Sequence, residues 1–192
     1  MSKFKYDIAV IGLGYVGLPL AIEAANNNLK VAGYDINDTI VTSLKKSKSH
    51  VEDISDTVLN DALTKELFFT SDSNVLGDSE YLVISVPTPL TDYQPDLSYV
   101  EAATKSIGEY LTKGQVVILE STTYPGTTIE IVQPILEKIS NLKAGEDFFL
   151  GYSPERIDPG NKEWKFKNTP KIVSGINKKS LEKISKFYKS II

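Results

Sequence analysis

Six residues near the amino terminus, Gly12-Leu13-Gly14-Tyr15-Val16-Gly17, constrain this chain more than any other feature. They follow Tyr6–Ile11, YDIAVI, which reads as a short buried strand rich in branched apolar residues. They precede Leu18–Asn26, where Leu20, Ala21, Ala24 and Ala25 supply a packing face for a helix. A second strand is expected over Leu29–Tyr34, closed by Asp35. Strand, glycine turn, helix, strand is one βαβ unit, and such units cross over right-handedly in a parallel sheet.

A bare GxGxxG is a weak signal. Here it sits between a strand and a helix, and an acidic residue follows 18 positions after Gly17, which together form a dinucleotide-binding pattern. The three glycines have separate tasks. Gly12 permits the tight turn, Gly14 removes the Cβ that would hold the backbone away from a pyrophosphate, and Gly17 allows close packing of the helix on the sheet. The helix start then offers amides and the positive end of its dipole to the phosphates. Asp35 can accept hydrogen bonds from both adenosine ribose hydroxyls and would repel a 2′-phosphate, with no Lys or Arg before Lys45 to neutralise one. The expected cofactor is therefore NAD rather than NADP. A flavin dinucleotide would use the same turn, but no flavin-specific feature follows. Asp35 as an ordinary helix cap is compatible with this reading and leaves the glycine spacing unexplained.

The remaining chain continues the alternation. Helices are expected over Asn37–Lys46, Val58–Leu63, Leu97–Leu111, Thr128–Ile139 and Lys178–Ile191, with Pro134 expected to kink the fourth. Strands are expected near Leu67–Thr70, Tyr81–Val86, Gln115–Glu120, Asp147–Tyr152 and Lys171–Ser174, and Ser153–Thr169 reads as irregular. This predicts an α/β fold of Rossmann type: a doubly wound, mainly parallel sheet with helices on both faces. Four loops, at Gly12–Gly17, Asp35–Asn37, Pro87–Pro89 and Ser121–Thr127, collect at the carboxyl ends of strands, where such sheets take their ligands. A chain of 192 residues suits one domain, divided as a core over about 1–176 and a terminal helix over 177–192.

Composition excludes more than it suggests. There is no Cys and only one His, His50, so disulfides, thiolate metal sites, cysteine nucleophiles and paired-histidine metal sites lie outside these residues, and no metal site is expected. A net charge of −4 gives no reason to expect nucleic acid. Nine lysines against two glutamates between Asn161 and Ile192 read as a solvated face, or as a surface meeting an anion or another chain segment. No apolar run reaches membrane-spanning length and no signal-like segment precedes the first strand, so the expected location is the cytoplasm.

Five stretches carry a more specific likeness: GLGYVGLP (12–19), SVPTPL (85–90), PDLSYV (95–100), ESTTYPGTT (120–128) and SPERIDPGN (153–161). In this order they resemble the amino-terminal region of nucleotide-sugar 6-dehydrogenases, over essentially the whole chain. YPGTT together with SPERIDPGN is most similar to the UDP-N-acetyl-glucosamine or -galactosamine branch, with the UDP-glucose and UDP-N-acetylmannosamine enzymes as the nearest alternatives. The resemblance implies oxidation of the sugar C6 alcohol to a carboxylate with two NAD, by way of a cysteine thiohemiacetal and thioester. A carbonyl has no hydride to give until a nucleophile makes it tetrahedral, so that chemistry needs a thiol.

The resemblance also implies site roles. Thr122 would position water or substrate, and Glu155 would act as general base for thioester hydrolysis. Gly12, Leu13, Gly14, Tyr15, Val16, Gly17, Asp35, Pro87, Thr88, Ser121 and Thr122 would bind cofactor, with Pro89 beside Thr88 and with Ser121 and Thr122 nearer the nicotinamide. Where the UDP-glucose branch has a second glutamate this chain has Pro159, with Asp158 nearby. Without the resemblance, Thr122 and Thr123 read as caps for the helix entered at Pro125, and Glu155 reads as a surface carboxylate. Arg156 reads as a loop anchor or a substrate contact, Trp164 and Phe166 as packing for the irregular segment, and His50 as a solvated loop residue. The cysteine, a catalytic lysine, a dimerisation helix and a substrate domain are expected beyond this chain. The full-length protein is expected to be a homodimer taking a UDP-sugar, and the fragment alone to bind NAD without turnover. A hydroxyacid-type dehydrogenase or a noncatalytic NAD-binding regulator would share the glycine turn.

Overall fold

A computed structural model describes residues 3–91, 94–155 and 169–192. The elements run β1 (Tyr6–Ile11), α1 (Gly17–Asn26), β2 (Val31–Tyr34), α2 (Asp38–Lys45), α3 (Asp56–Leu63), β3 (Leu67–Thr70), α4 (Asn74–Gly77) and β4 (Ser79–Ile84). A two-residue ribbon, β5 (Leu90–Thr91) with β6 (Gln94–Pro95), leads to α5 (Ser98–Tyr110) and β7 (Val116–Leu119). A wide π-type turn, Thr128–Val132, runs into α6 (Gln133–Ser140), then β8 (Phe149–Tyr152), β9 (Ser174–Gly175) and α7 (Lys178–Lys189).

The main sheet has seven strands in the order β3-β2-β1-β4-β7-β8-β9, parallel except for β9, which pairs antiparallel with β8. Consecutive residues of a strand point to opposite faces, so each apolar strand feeds two cores. Ile8, Val10, Val31, Val83, Val116 and Ile118 face α1, α2, α3 and α7. Ala9, Ile11, Ala32, Leu82, Ile84, Val117 and Leu119 face α4, α5 and α6. The expected doubly wound fold with two helical layers is therefore the observed one. Because β4 lies on the far side of β1 from β2, the crossovers diverge between β1 and β4, and a crevice opens at their carboxyl ends.

Several boundaries differ from expectation for identifiable reasons. β2 begins at Val31 rather than Leu29, because Asn28 takes a left-handed conformation (φ 64°) and Leu29 N donates to Ala24 O as α1 ends. β4 spans Ser79–Ile84 rather than Tyr81–Val86, since Ser79 already pairs with Tyr6 and Ser85 turns its hydroxyl onto the Ile11 and Gly12 carbonyls. The helix expected over 128–139 is instead a π-type turn followed by α6, with Pro134 at its start. Proline brings no amide hydrogen and crowds the preceding carbonyls, and a wider turn absorbs both effects. The strand expected at Lys171–Ser174 begins only at Ser174, because its partner β8 ends at Tyr152, opposite Ser174. No helix among the described residues is long and apolar enough to cross a membrane.

Candidate functional site

The glycine turn lies at the mouth of the crevice. Gly12 has φ +91°, which favours glycine, and a Cβ there would meet the Ser85 carbonyl and the Val86 backbone at 3.0 Å. At Gly17 a Cβ would fall 1.8 Å from the Gly12 carbonyl oxygen and 2.5 Å from Ser85 Oγ, so that glycine sets how closely α1 approaches the strand ends. Gly14 differs from both: none of the described residues comes within 4 Å of its Cβ position. The space above Gly14 is thus open where a pyrophosphate would approach. α1 has no acidic residue in its first turn and no side-chain cap, which leaves its positive end available to an anion. These features fit the phosphates of a dinucleotide.

The six turn residues divide by environment. Leu13 is fully buried and belongs to the core, whereas Tyr15 is half exposed. Leu18 and Leu20 are fully buried, as core contacts should be. Asp35, just past β2, ties the turn down. Its Oδ2 accepts from Leu13 N at 2.9 Å and its Oδ1 from Asn37 N at 2.9 Å. Asp35 is not the cap of α2; that is Asn37, whose Oδ1 accepts from Thr39 N at 3.0 Å and Ile40 N at 3.4 Å. The carboxylate therefore sits beside the turn, at the strand end where a ribose would meet it.

Two further loops close the other side. Ser121 is buried, and its hydroxyl donates inward to Val86 O at 2.7 Å, which fastens the loop after β7 to the loop after β4. Thr88 Oγ1 donates to Thr122 O at 2.7 Å, a second tie between the same loops. Pro87 and Thr122 stay exposed. Ser121 is thus held by its side chain as a strut, and Thr122 presents its hydroxyl from an exposed position. Capping does not explain Thr122 or Thr123, because the helical turn begins at Thr128, preceded by Thr127.

Glu155, one strand further along after β8, is not a surface carboxylate: its side chain is 7% exposed. Lys171 Nζ donates to its Oε2 at 3.2 Å and also to Oε1 of Glu120, the fully buried residue that ends the β7 segment. The Lys171 ammonium lies 5.3 Å from the ring centroid of Tyr188 on α7, a cation–π distance. Burial pushes the Glu120 carboxyl up to about 7, with Lys171 pulling the other way. Burial, then the Glu120 charge, holds the Tyr188 phenol well above its ordinary range. Glu120 Oε2, Ser153 Oγ and Tyr188 Oη face this interior without a hydrogen bond of normal geometry among the described residues.

Lys171 and Glu120 escape a reading of the sequence. Lys171 is hidden among the nine lysines of a segment that reads as solvated, and Glu120 looks like the polar end of an apolar strand. The available signal was that charge itself, a carboxylate directly after VVIL at the ligand edge of a parallel sheet. Arg156, Asp158, Pro159, Trp164 and Phe166 lie outside the described residues. His50 is exposed, as expected.

Comparison with known proteins points the same way. The chain is 42% identical over 186 residues to a UDP-N-acetyl-D-glucosamine 6-dehydrogenase of Pseudomonas aeruginosa, covering 96% of this chain and 43% of that protein. It is 40% identical over 187 residues to Protein CapL of Staphylococcus aureus, covering 97% of this chain and 43% of that protein. A UDP-D-ManNAc dehydrogenase structure from Pyrococcus horikoshii superposes with a TM-score of 0.90 at 36% identity, over 97% of this chain and 45% of that one. The chain spans less than half the length of these relatives. The sequence model of one family, described as the UDP-glucose/GDP-mannose dehydrogenase family, NAD binding domain, matches residues 6–192. With its crevice shaped for a dinucleotide and its motifs in the family's order, the chain belongs to the UDP-glucose/GDP-mannose dehydrogenase family as an NAD binding domain.

Proposed function

We propose that this chain is the cofactor-holding part of an NAD-dependent UDP-N-acetylhexosamine 6-dehydrogenase that converts the sugar C6 alcohol to a carboxylate. The observation that carries the cofactor assignment is the open space over Gly14 beside an uncapped helix start, with Asp35 fastened to the same turn. The N-acetylhexosamine assignment is supported by the similarity to the Pseudomonas aeruginosa enzyme and by the YPGTT and SPERIDPGN loops. A mannosamine epimer is the second reading, favoured by the likeness to the Pyrococcus horikoshii structure.

When bound, NAD supplies the hydride acceptor for each two-electron oxidation. The backbone from Gly14 to Gly17 would receive the pyrophosphate, and Asp35 would accept from the adenosine ribose hydroxyls and repel a 2′-phosphate. Pro87, Thr88, Ser121 and Thr122 line the nicotinamide side, where the struts from Ser121 to Val86 and from Thr88 to Thr122 hold the two loops at one spacing. Thr122 positions water or the sugar. Glu155 takes the proton from the water that releases the carboxylate product. The thiol nucleophile and the sugar-binding groups come from the rest of the protein, which assembles as a homodimer.

The test uses the full-length protein with UDP-N-acetylglucosamine and NAD, measuring NADH and uronate together. Two NADH per uronate is the expected result. Preference for UDP-glucose would move the assignment to the other branch, and no NADH with any UDP-hexose would refute it.

A further inference from the structure

Outside the glycine turn, a buried group of titratable side chains lies at the ends of β7 and β8. Three ionisable groups from separate stretches of chain meet there: Glu120 after β7, Glu155 after β8 and Lys171 ahead of β9. All three side chains are at most 8% exposed. Withdrawing ions from water costs several kcal/mol each, so such a set persists only where the charges answer one another. Among the described residues one ammonium faces two carboxylates, and the phenol of Tyr188 backs the ammonium from α7.

The two carboxylates stand in different positions. Glu120 is fully buried beneath the sheet edge. Glu155 sits at the edge itself, the side of a parallel sheet that meets ligands. We infer that Lys171 is a positioning residue: anchored on Glu120 in the interior, its ammonium fixes the Glu155 carboxylate at the carboxyl edge of the sheet. The inference rests on the reading of Glu155 as the base in the hydrolytic step. A cation held from below restricts the carboxylate to a small arc, whereas a glutamate in an unanchored loop would swing into solvent and misplace the proton acceptor. Lys171→Arg retains the charge and the reach, and Lys171→Met retains the stem without the charge.

In the full-length protein, Lys171→Met lowers kcat for uronate formation by about 10- to 100-fold and leaves NAD affinity unchanged, while Lys171→Arg recovers most of the loss. Because Lys171 acts through Glu155, the double variant with Glu155→Gln is no slower than Glu155→Gln alone. Unchanged kcat in Lys171→Met, or losses that multiply in the double variant, would overturn the inference. Wild-type turnover in Glu155→Gln would instead sink the reading of Glu155 as base, and the placement itself is read separately. In the 192-residue chain with labelled glutamate carboxyl carbons, the Glu155 resonance moves in Lys171→Met and returns in Lys171→Arg. The Glu120 titration, near 7 in the parent, moves down in Glu155→Gln and up in Lys171→Met. Should Lys171→Met fail to fold, the Glu155→Gln spectrum decides: an unmoved Glu120 titration means the three groups are not one unit.

Discussion

Replacing Gly14 with alanine separates the two things a glycine turn can do, fold and bind. The Gly14 Cβ position has none of the described residues within 4 Å, and its backbone lies outside the left-handed region. An added methyl therefore meets no atom of the described residues and forces no dihedral into strain. A Gly→Ala change at a compatible site stabilises by about 0.4–1 kcal/mol through the unfolded chain, which for a domain of this size is a rise in Tm of about 1–4 °C. The same methyl projects into the space assigned to the pyrophosphate. Pushing the phosphates back from the backbone amides forfeits at least one charge-assisted hydrogen bond and close contact, about 3 kcal/mol, or about 100-fold in Kd. Differential scanning calorimetry and titration calorimetry with NAD on the same preparations give both numbers. Gly14→Ala should melt at or slightly above the parent temperature and bind NAD about 100-fold more weakly. Parent-like NAD affinity would show that the phosphates do not lie over this turn.

Three further substitutions test neighbouring parts of the site. Gly17→Ala places a methyl 1.8 Å from a backbone oxygen, so it should cost about 3 kcal/mol, seen as a Tm lower by about 6–12 °C; an unchanged Tm would contradict the close approach of α1 to Gly12. Asp35→Ala removes the acceptor of the Leu13 and Asn37 amides and of the ribose hydroxyls, so NAD should bind about 10- to 100-fold more weakly and the discrimination against NADP should largely vanish. Retained discrimination would place the 2′-position elsewhere. Glu120 has its folded-state pKa raised to about 7 from 4.5, so the folded protein holds a proton that the unfolded chain releases. The stability from this proton is complete below about 4.5 and is lost as pH rises through about 7, so Glu120→Gln should gain on the parent across that window and level off above it. Denaturant melts across that range would show parallel curves if the carboxyl is not perturbed.

The fold was legible because its signals are local and repeated. Apolar runs such as YDIAVI and VVIL, short and rich in branched residues, read as central strands of a sheet covered on both faces, and the strand–turn–helix context converts GLGYVG from a weak match into a placed element. The caps were not legible: Asn37, expected inside its helix, and Asn177 cap α2 and α7 through their side chains, and Asp35 does not. What else escaped depends on partners distant in sequence. Glu120 and Lys171 are 51 residues apart and meet only because β7, β8 and β9 are neighbours in the sheet. The inward turn of Lys171 toward Glu120 has no local cause in the chain around it. The inward hydroxyl of Ser121 is similar, since its target, the Val86 carbonyl, belongs to another loop. Side-chain environment at the site is a tertiary property, and motif spacing gives position without burial.

Titration of the nitrogen-15-labelled chain with NAD, followed amide by amide, addresses the phosphate cradle itself. Saturable shifts should concentrate at Leu13, Gly14, Tyr15, Val16 and Gly17, with Asn37 responding as the Asp35 carboxylate turns to the ribose, and NADP should produce them only at much higher concentration. Saturable shifts confined to other parts of the sheet, or none at millimolar NAD, would contradict a dinucleotide seated on the glycine turn.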